Sequence, residues 1–236
     1  MASQSGLRVV RNPSNLTALK SGGFRQSLAD SLKVLDSTIP SVGYPKDAVL
    51  FMEGQPARGI FAVCSGRVKI TTSSLEGKLI ILKVAQAGEL VGLPAIISGK
   101  PYEVTAVVTE RAWVNFIPRG VFLRFLRANP QALVEVAQLL TDSHYVGHAV
   151  IQSLALSRSA PEKLARFFLD WSATHTRGQD RLRITLTQAE IGEMIGVSRE
   201  TVSRLLTIFQ KRNLLTVKGA MVDICNRHEL QVLASA

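Results

Sequence analysis

Between residues 44 and 118 the apolar positions come in short runs: Val49-Leu50-Phe51, Ile60-Phe61-Ala62-Val63, Val68-Lys69-Ile70, Leu79-Ile80-Ile81-Leu82 and Val104-Thr105-Ala106-Val107-Val108. Glycines at 54, 66, 77, 88 and 99 punctuate them at intervals of eleven or twelve residues. Short β-branched runs with turn residues at that spacing predict an all-β barrel or sandwich over residues 44–118. The preceding segment has weak periodicity and supports only a short helix near residues 25–35.

The period changes at Arg119. A helical pattern begins there, breaks at Asn129-Pro130 and resumes over residues 131–156. In the second stretch Leu133, Val136, Leu140, Ser143, Gly147, Val150 and Leu154 recur at alternating steps of three and four. That seam predicts a helix that pairs with another helix, most simply in a homodimer. The alternative is an amphipathic helix lying on its own domain. A polar stretch at 157–160 then marks a hinge, placed at 156–160. Pro161 suits the first turn of a new helix with the apolar stripe Leu164, Phe167, Phe168 and Trp171.

Residues 187–212 carry the densest local signals. Thr187-Gln188-Ala189-Glu190 reads as a capping box, in which hydroxyl and carboxylate each satisfy the other residue's backbone N–H. Ile191, Met194 and Ile195 form the stripe of a short helix that ends at Gly196, a residue suited to a left-handed C-terminal position. Ser198 caps a second helix. Its Val202, Leu205, Leu206 and Phe209 follow the i, i+3, i+4, i+7 pattern of a buried face. At 100° per residue, Arg199, Glu200, Ser203 and Arg204 fall together on the opposite arc. Two capped helices joined by a glycine turn, with outward Arg and Glu in the first turns of the second, predict a helix-turn-helix that reads the major groove. Arginine can donate two hydrogen bonds to guanine, and glutamate can accept one from cytosine. The simpler reading of that face is a solvated Glu200–Arg204 ion pair at i,i+4. Leu214-Leu215-Thr216-Val217 and Ala220-Met221-Val222-Asp223-Ile224 flank Lys218-Gly219, which predicts a hairpin wing with Lys218 able to reach a phosphate.

Composition agrees with an ordered DNA-binding protein. Of 236 residues, 46% are hydrophobic and the net charge is +10, which favours an anionic partner. The charge is spread rather than focused: residues 154–236 hold 12 Lys/Arg against 8 Asp/Glu, and the remainder 16 against 10. No apolar run approaches the roughly eighteen residues of a membrane span, and residues 1–20 lack an apolar signal-peptide core, so a cytoplasmic protein without membrane contact is expected. Cys64 and Cys225 are too few and too distant for a disulfide framework, and Cys64 is expected to be buried. His144 and His148 have a metal-compatible i,i+4 spacing but no third ligand nearby, so no metal site is assigned. No nucleophile–base pair or phosphate-cradling glycine loop stands out, and the chain does not read as an enzyme.

The string from Ile191 to Arg204, IGEMIGVSRETVSR, resembles the winged helix of the Crp/Fnr transcription regulators. Gly54-Gln55, Ser65-Gly66-Arg67-Val68-Lys69 and Gly88-Glu89-Leu90 resemble the cyclic-nucleotide-binding β-roll of the same family. The resemblance implies an α+β protein: a β-roll (jelly roll) effector domain over residues 25–128, a dimerisation helix over 129–156 and a winged helix-turn-helix over 157–232. It also implies a homodimer on a twofold-symmetric operator in double-stranded DNA, with half-sites about one helical turn apart and RNA polymerase as protein partner. Arg199, Glu200 and Arg204 match the base-reading positions of cyclic-AMP-responsive members, whose half-site is similar to TGTGA. Thr187, Ser198 and Thr201 match phosphate-holding positions. Gln188, Ser203 and Lys218 complete the candidate interface.

The implied effector pocket comprises Gly88, Glu89, Leu90, Tyr102 and Glu103. Gly88-Glu89 would keep the pair that meets the ribose in relatives. Tyr102-Glu103 stand where those relatives place an Arg-Ser pair for the cyclic phosphate, and Gly147-His148 where they place a Thr-Ser pair for the adenine. A carboxylate there would repel the phosphate by about 1–4 kcal/mol. The nearest base, Lys100, lacks the guanidinium fork. No cofactor is therefore assigned, and the usual cyclic-AMP binding is not expected. Residues 1–40 hold no cysteine with which to build the N-terminal cluster of Fnr-like oxygen sensors. A ligand-binding regulator acting on a protein partner rather than on DNA is the remaining alternative.

Overall fold

The computed structural model describes residues 40–73, 79–156, 159–176 and 178–235, with side-chain surroundings for all of these except 145–156 and 174–176. The helix expected near 25–35, Gly77, and residues 157 and 158 of the expected hinge lie outside the described residues. The chain forms two compact units, one of residues 1–77 and 81–146, the other of 78–80 and 147–236.

The first unit is a β-roll. Its strands are β1 (Ser41–Tyr44), β2 (Val49–Phe51), β3 (Gly59–Ser73), β4 (Leu79–Gln86), β5 (Leu90–Val91) and β6 (Thr105–Pro118). They form one sheet in the order β1–β6–β3–β4, with β2 added to β6 and β5 to β3. The β3–β6 pair is the spine, antiparallel from Gly59↔Pro118 to Thr71↔Thr105. Where the apolar runs predicted two strands, 60–63 and 68–70, there is one. Gly66 does not turn the chain but sits in a stretch of register shifts between Val63 and Val68. Its φ is +80°, and an added Cβ would lie 2.5 Å from the Arg111 carbonyl oxygen of β6. The bulge lets both long strands continue without parting.

Successive residues of β3 serve different cores. Phe61 and Val63 pack with Phe51, Val91, Tyr102 and Val114. Ile60 and Ala62 pack instead with α1 (Leu93–Ser98) and α2 (Arg119–Ala128), through Ile96, Phe122 and Leu126. Burial on both faces explains why this strand reads as an unbroken apolar run rather than an alternation.

Helix α3 (Pro130–Leu156) starts where the sequence pattern placed it, after Asn129 donates its side-chain amide to the Phe125 carbonyl at 2.8 Å. The continuous seam expected along it is not present in its first turns. Ala132, Val136, Leu139 and Leu140 pack on the roll's own core, whereas Leu133 is 51% exposed and Val134 49%. The stripe i, i+4, i+7, i+8 from Ala132 faces the roll, which draws Val136 and Leu140 away from Leu133. Cys64 is half-buried rather than enclosed, with its thiol donating to the Asn115 side-chain oxygen at 3.4 Å.

The second unit is a winged helical domain: α4 (Ala160–Thr176), β7 (Arg181–Arg183), α5 (Gln188–Ile195), α6 (Arg199–Lys211), β8 (Leu215–Lys218), β9 (Met221–Ile224) and α7 (Arg227–Ala234). Leu164, Phe168, Leu182, Ile191, Val202, Phe209, Leu214 and Leu230 lie in one core. Strand β7, which the sequence pattern did not signal, extends the hairpin to the order β7–β9–β8. Helix α7 was missed too. Its Arg227 donates to Asp180 at 2.7 Å, to the Ser172 hydroxyl at 2.6 Å and to the Gly178 carbonyl at 3.0 Å.

Gly66→Ala should destabilise the roll by about 2–3 kcal/mol, through the left-handed φ and the clash with β6 together. Gly54→Ala has a similar φ of +81° but nothing within 4 Å of the new Cβ, so it isolates the backbone cost at about 1 kcal/mol. Urea unfolding of both variants measures the difference, and equal losses would contradict the close approach at Gly66.

Candidate nucleic-acid interface

Helix α5 begins with the predicted capping box. The Thr187 hydroxyl oxygen accepts from the Glu190 N–H at 3.2 Å, and the Glu190 carboxylate accepts from the Thr187 N–H at 2.8 Å. The helix ends at Gly196, whose φ of 72° is left-handed. The turn is closed by a second glycine that the pattern did not single out. The Val197 N–H donates to the Gly192 carbonyl at 3.0 Å, and a Cβ on Gly192 would stand 2.7 Å from the Val197 carbonyl oxygen. Only a residue without a side chain fits there.

Ser198 then caps α6, accepting from the Thr201 N–H at 3.2 Å, with the two hydroxyls 3.1 Å apart. Val202, Leu205, Leu206 and Phe209 are buried, as their spacing required. Arg199, Glu200, Ser203 and Arg204 are exposed on the other side, and Thr201 is half-buried at their edge. Among the described residues neither Arg199 nor Arg204 makes a hydrogen bond or ion pair. The i,i+4 ion pair does not form. Instead the Glu200 carboxylate turns to the N-terminus of its own helix. Its own backbone N–H, then the Ser198 hydroxyl and the Arg199 charge, hold it below the usual carboxylate range. Glu200 is thus an ionised acceptor at neutral pH, and both arginines are available donors.

The wing hairpin places Lys218 opposite Met221 across the two-residue turn Gly219-Ala220. Gly219 has φ +60° in the first turn position, the pattern of a type II′ hairpin. Lys218 is exposed at the tip, and Thr187 and Gln188 are exposed at the start of α5.

The five residues expected to form an effector pocket differ in their surroundings. The roll contains a cavity of about 350 Å³, and of the five only Tyr102 lines it. Tyr102 is 5% exposed, stacks on Phe51 with centroids 3.9 Å apart and donates its hydroxyl to the Gly59 carbonyl. Burial pushes that hydroxyl above the usual phenol range, opposed by its bonds to the Gly59 and Arg58 backbone. Glu89 accepts from the Gln86 N–H at 3.1 Å and pairs with Lys83 at 3.1 Å, tying its own turn. Gly88 and Val63 are joined through backbone bonds, Leu90 is half-buried in the core, and Glu103 is exposed. The carboxylate expected to meet a ribose is therefore committed locally. His144 is exposed on α3, and the side chain of His148 lies outside the described residues.

The chain matches the cyclic nucleotide-binding domain model over residues 41–129 and the Crp-like helix-turn-helix domain model over 162–233. It is 31% identical over 192 residues to the fumarate and nitrate reduction regulatory protein of Vibrio cholerae, covering 80% of this chain and 76% of the relative. The protein of the same name from Yersinia pestis is 32% identical over 192 residues, with the same coverage. The chain belongs to the Crp/Fnr family of transcription regulators.

As a Crp/Fnr protein it is a DNA-binding transcription regulator and not an enzyme. Solved structures share the fold. FixK2 from Bradyrhizobium japonicum superposes with a TM-score of 0.73 at 21% identity, covering 84% of this chain and 98% of that one. A CooA mutant from Carboxydothermus hydrogenoformans gives 0.73 at 21% identity, covering 96% and 99%. No helix among the described residues is long and apolar enough to cross a membrane.

Ser198→Ala should cost the winged domain about 1 kcal/mol, the usual loss of an N-cap. It should also raise the Glu200 carboxyl toward its ordinary value, because one of the groups holding it down is removed. With a depressed folded value, the stabilisation from Glu200 is present above its unfolded value and fades as pH falls through the folded one. An NMR pH titration of Glu200 in both proteins tests this. An unchanged midpoint would contradict the Ser198 contact.

Proposed function

We propose that this Crp/Fnr regulator binds as a homodimer to a twofold palindrome of TGTGA-like half-sites, one per α6. The reading is carried by one observation: Arg199, Glu200 and Arg204 lie together, exposed, on an N-capped helix, with both arginines unpaired among the described residues. Arg199 and Arg204 donate to guanine edges and Glu200 accepts from a cytosine amino group. Ser203 lies between them. The Ser198 and Thr201 hydroxyls, 3.1 Å apart, lie at the start of α6, where first-turn N–H groups left unsatisfied by the helix can meet a phosphate. The Thr187 hydroxyl donates to Glu190 at 3.0 Å. At that helix end the phosphate is therefore met by first-turn N–H groups around Gln188, which the helix leaves unsatisfied. Lys218 adds a phosphate contact from the wing.

The exposed pair Leu133 and Val134 on α3 supports association of two copies. RNA polymerase is the protein partner of the operator-bound dimer. The effector pocket departs from the cyclic-AMP consensus, because Glu89 is paired with Lys83 and Glu103 brings a carboxylate where a phosphate would need a cation. A role on a protein partner instead of DNA is not favoured, since it leaves the unpaired arginine face without a task.

Arg204→Ala should weaken binding to a TGTGA palindrome by about 1–3 kcal/mol per half-site contact and relax discrimination at that base pair. Lys218→Ala should weaken all sequences alike and lower the salt slope by about one. Mobility-shift titrations at several salt concentrations separate the two effects. Wild-type affinity of Arg204→Ala for the palindrome would refute the assignment.

A further inference from the structure

Of the residues aligned with the family's effector contacts, only Tyr102 lines the roll's cavity, and the rest of the lining has its own composition. Its floor is aromatic. Phe51, Phe61, Tyr102 and Phe116 line it, with Phe51–Phe61 centroids 5.5 Å apart and Phe61–Phe116 5.0 Å apart. Tyr102 spends its hydroxyl on Gly59 and so presents only its ring. The polar groups at the mouth are the side chains of Gln55 and Arg58, both exposed residues of the β2–β3 loop. Among the described residues the Arg58 side chain has neither a hydrogen bond nor an ion pair, and none of the lining residues is acidic.

We propose that this cavity is a binding site for a small aromatic carboxylate, with the ring against the aromatic floor and the carboxylate on Arg58. The chemistry selects the class. Aromatic pairs gain from offset and edge contacts that a saturated ring cannot make. A guanidinium fork matches a planar carboxylate with two parallel hydrogen bonds. A phosphate ester would need further donors, and the lining supplies no second cation and no helix N-terminus. The volume of about 350 Å³ falls at the small end of ligand pockets. Gln55 can accept or donate to a substituent, while its own side-chain carbonyl already receives the Met52 N–H at 3.0 Å. The site rests on the reading of the roll as the effector unit, and it names the ligand class in place of a cyclic nucleotide.

The test is calorimetry on the full chain without DNA, so that it stands or falls apart from the operator assignment. The probes are 2-naphthoate, neutral 2-naphthamide and the saturated decalin-2-carboxylate. Saturable binding of 2-naphthoate, one per chain, is expected. Arg58→Gln should weaken it by about tenfold, the loss of one charge-assisted pair at an exposed mouth. Arg58→Lys should fall between, and 2-naphthamide should bind wild type and Arg58→Gln alike. Absence of saturable 2-naphthoate binding would overturn the proposal. So would equal affinity in Arg58→Gln, or decalin-2-carboxylate binding as tightly as 2-naphthoate. Because Arg58 is exposed, its replacement leaves the core intact, which thermal melting of each variant verifies.

Discussion

At Gly192 the backbone of α5 and the backbone of the turn that follows it touch. A single β-carbon there would stand 2.7 Å from the Val197 carbonyl oxygen, so the approach exists only because the residue has none. Given that contact, Gly196 takes its left-handed conformation, Val197 returns a hydrogen bond to Gly192, and Ser198 arrives in place to cap α6. The rest of the winged domain is arranged by that exit angle. The caps set where each helix begins, at about 1 kcal/mol apiece. Packing sets its rotation, because Val202, Leu205, Leu206 and Phe209 each bring about 1.5–3 kcal/mol on burial. Packing therefore outweighs capping. The outward face of Arg199, Glu200 and Arg204 is the consequence of four buried side chains.

The roll is organised by a different constraint, the long β3–β6 pairing. With both faces of β3 buried at its start, the loops that flank it must supply core side chains. Tyr102 is one of them: its ring lies against Phe51, and a Cβ on Gly92 would be 2.9 Å from it. Glu89, one turn earlier, is held by Lys83 and the Gln86 backbone. Both side chains are thus engaged within the roll. The cavity described in the roll is lined by aromatic side chains, with Arg58 at its mouth.

Much of the DNA-binding unit was legible in the residues alone. Capping box, glycine turn, second cap and buried stripe are all local, decided by neighbours within four positions, and each appears where its spacing put it. The β-roll was legible in class and less so in detail. Gly66 looked like a turn and is a bulge, because whether a glycine bends the chain or lets it pass depends on the partner strand, and β6 meets Gly66 at Arg111 and Ala112, far along the chain. Strand β7 and helix α7 gave no signal strong enough to read. Their places depend on long-range partners, β9 for the one and Arg227 with Ser172 and Asp180 for the other.

By itself, then, the sequence determined the kind of protein and which three side chains, Arg199, Glu200 and Arg204, share the outward face of α6, since both follow from short-range spacing on a helix. The tertiary structure alone decided which side of α3 the roll claims. The heptad spacing of Leu133, Val136 and Leu140 fits one seam, yet burial against Ile117 and Phe122 takes Val136 and Leu140 and leaves Leu133 outside. It also decided the partners of Glu89 and Tyr102, Lys83 for the one and Phe51 with Gly59 for the other. Spacing along a chain says which residues share a face; only the packed neighbours say what that face meets.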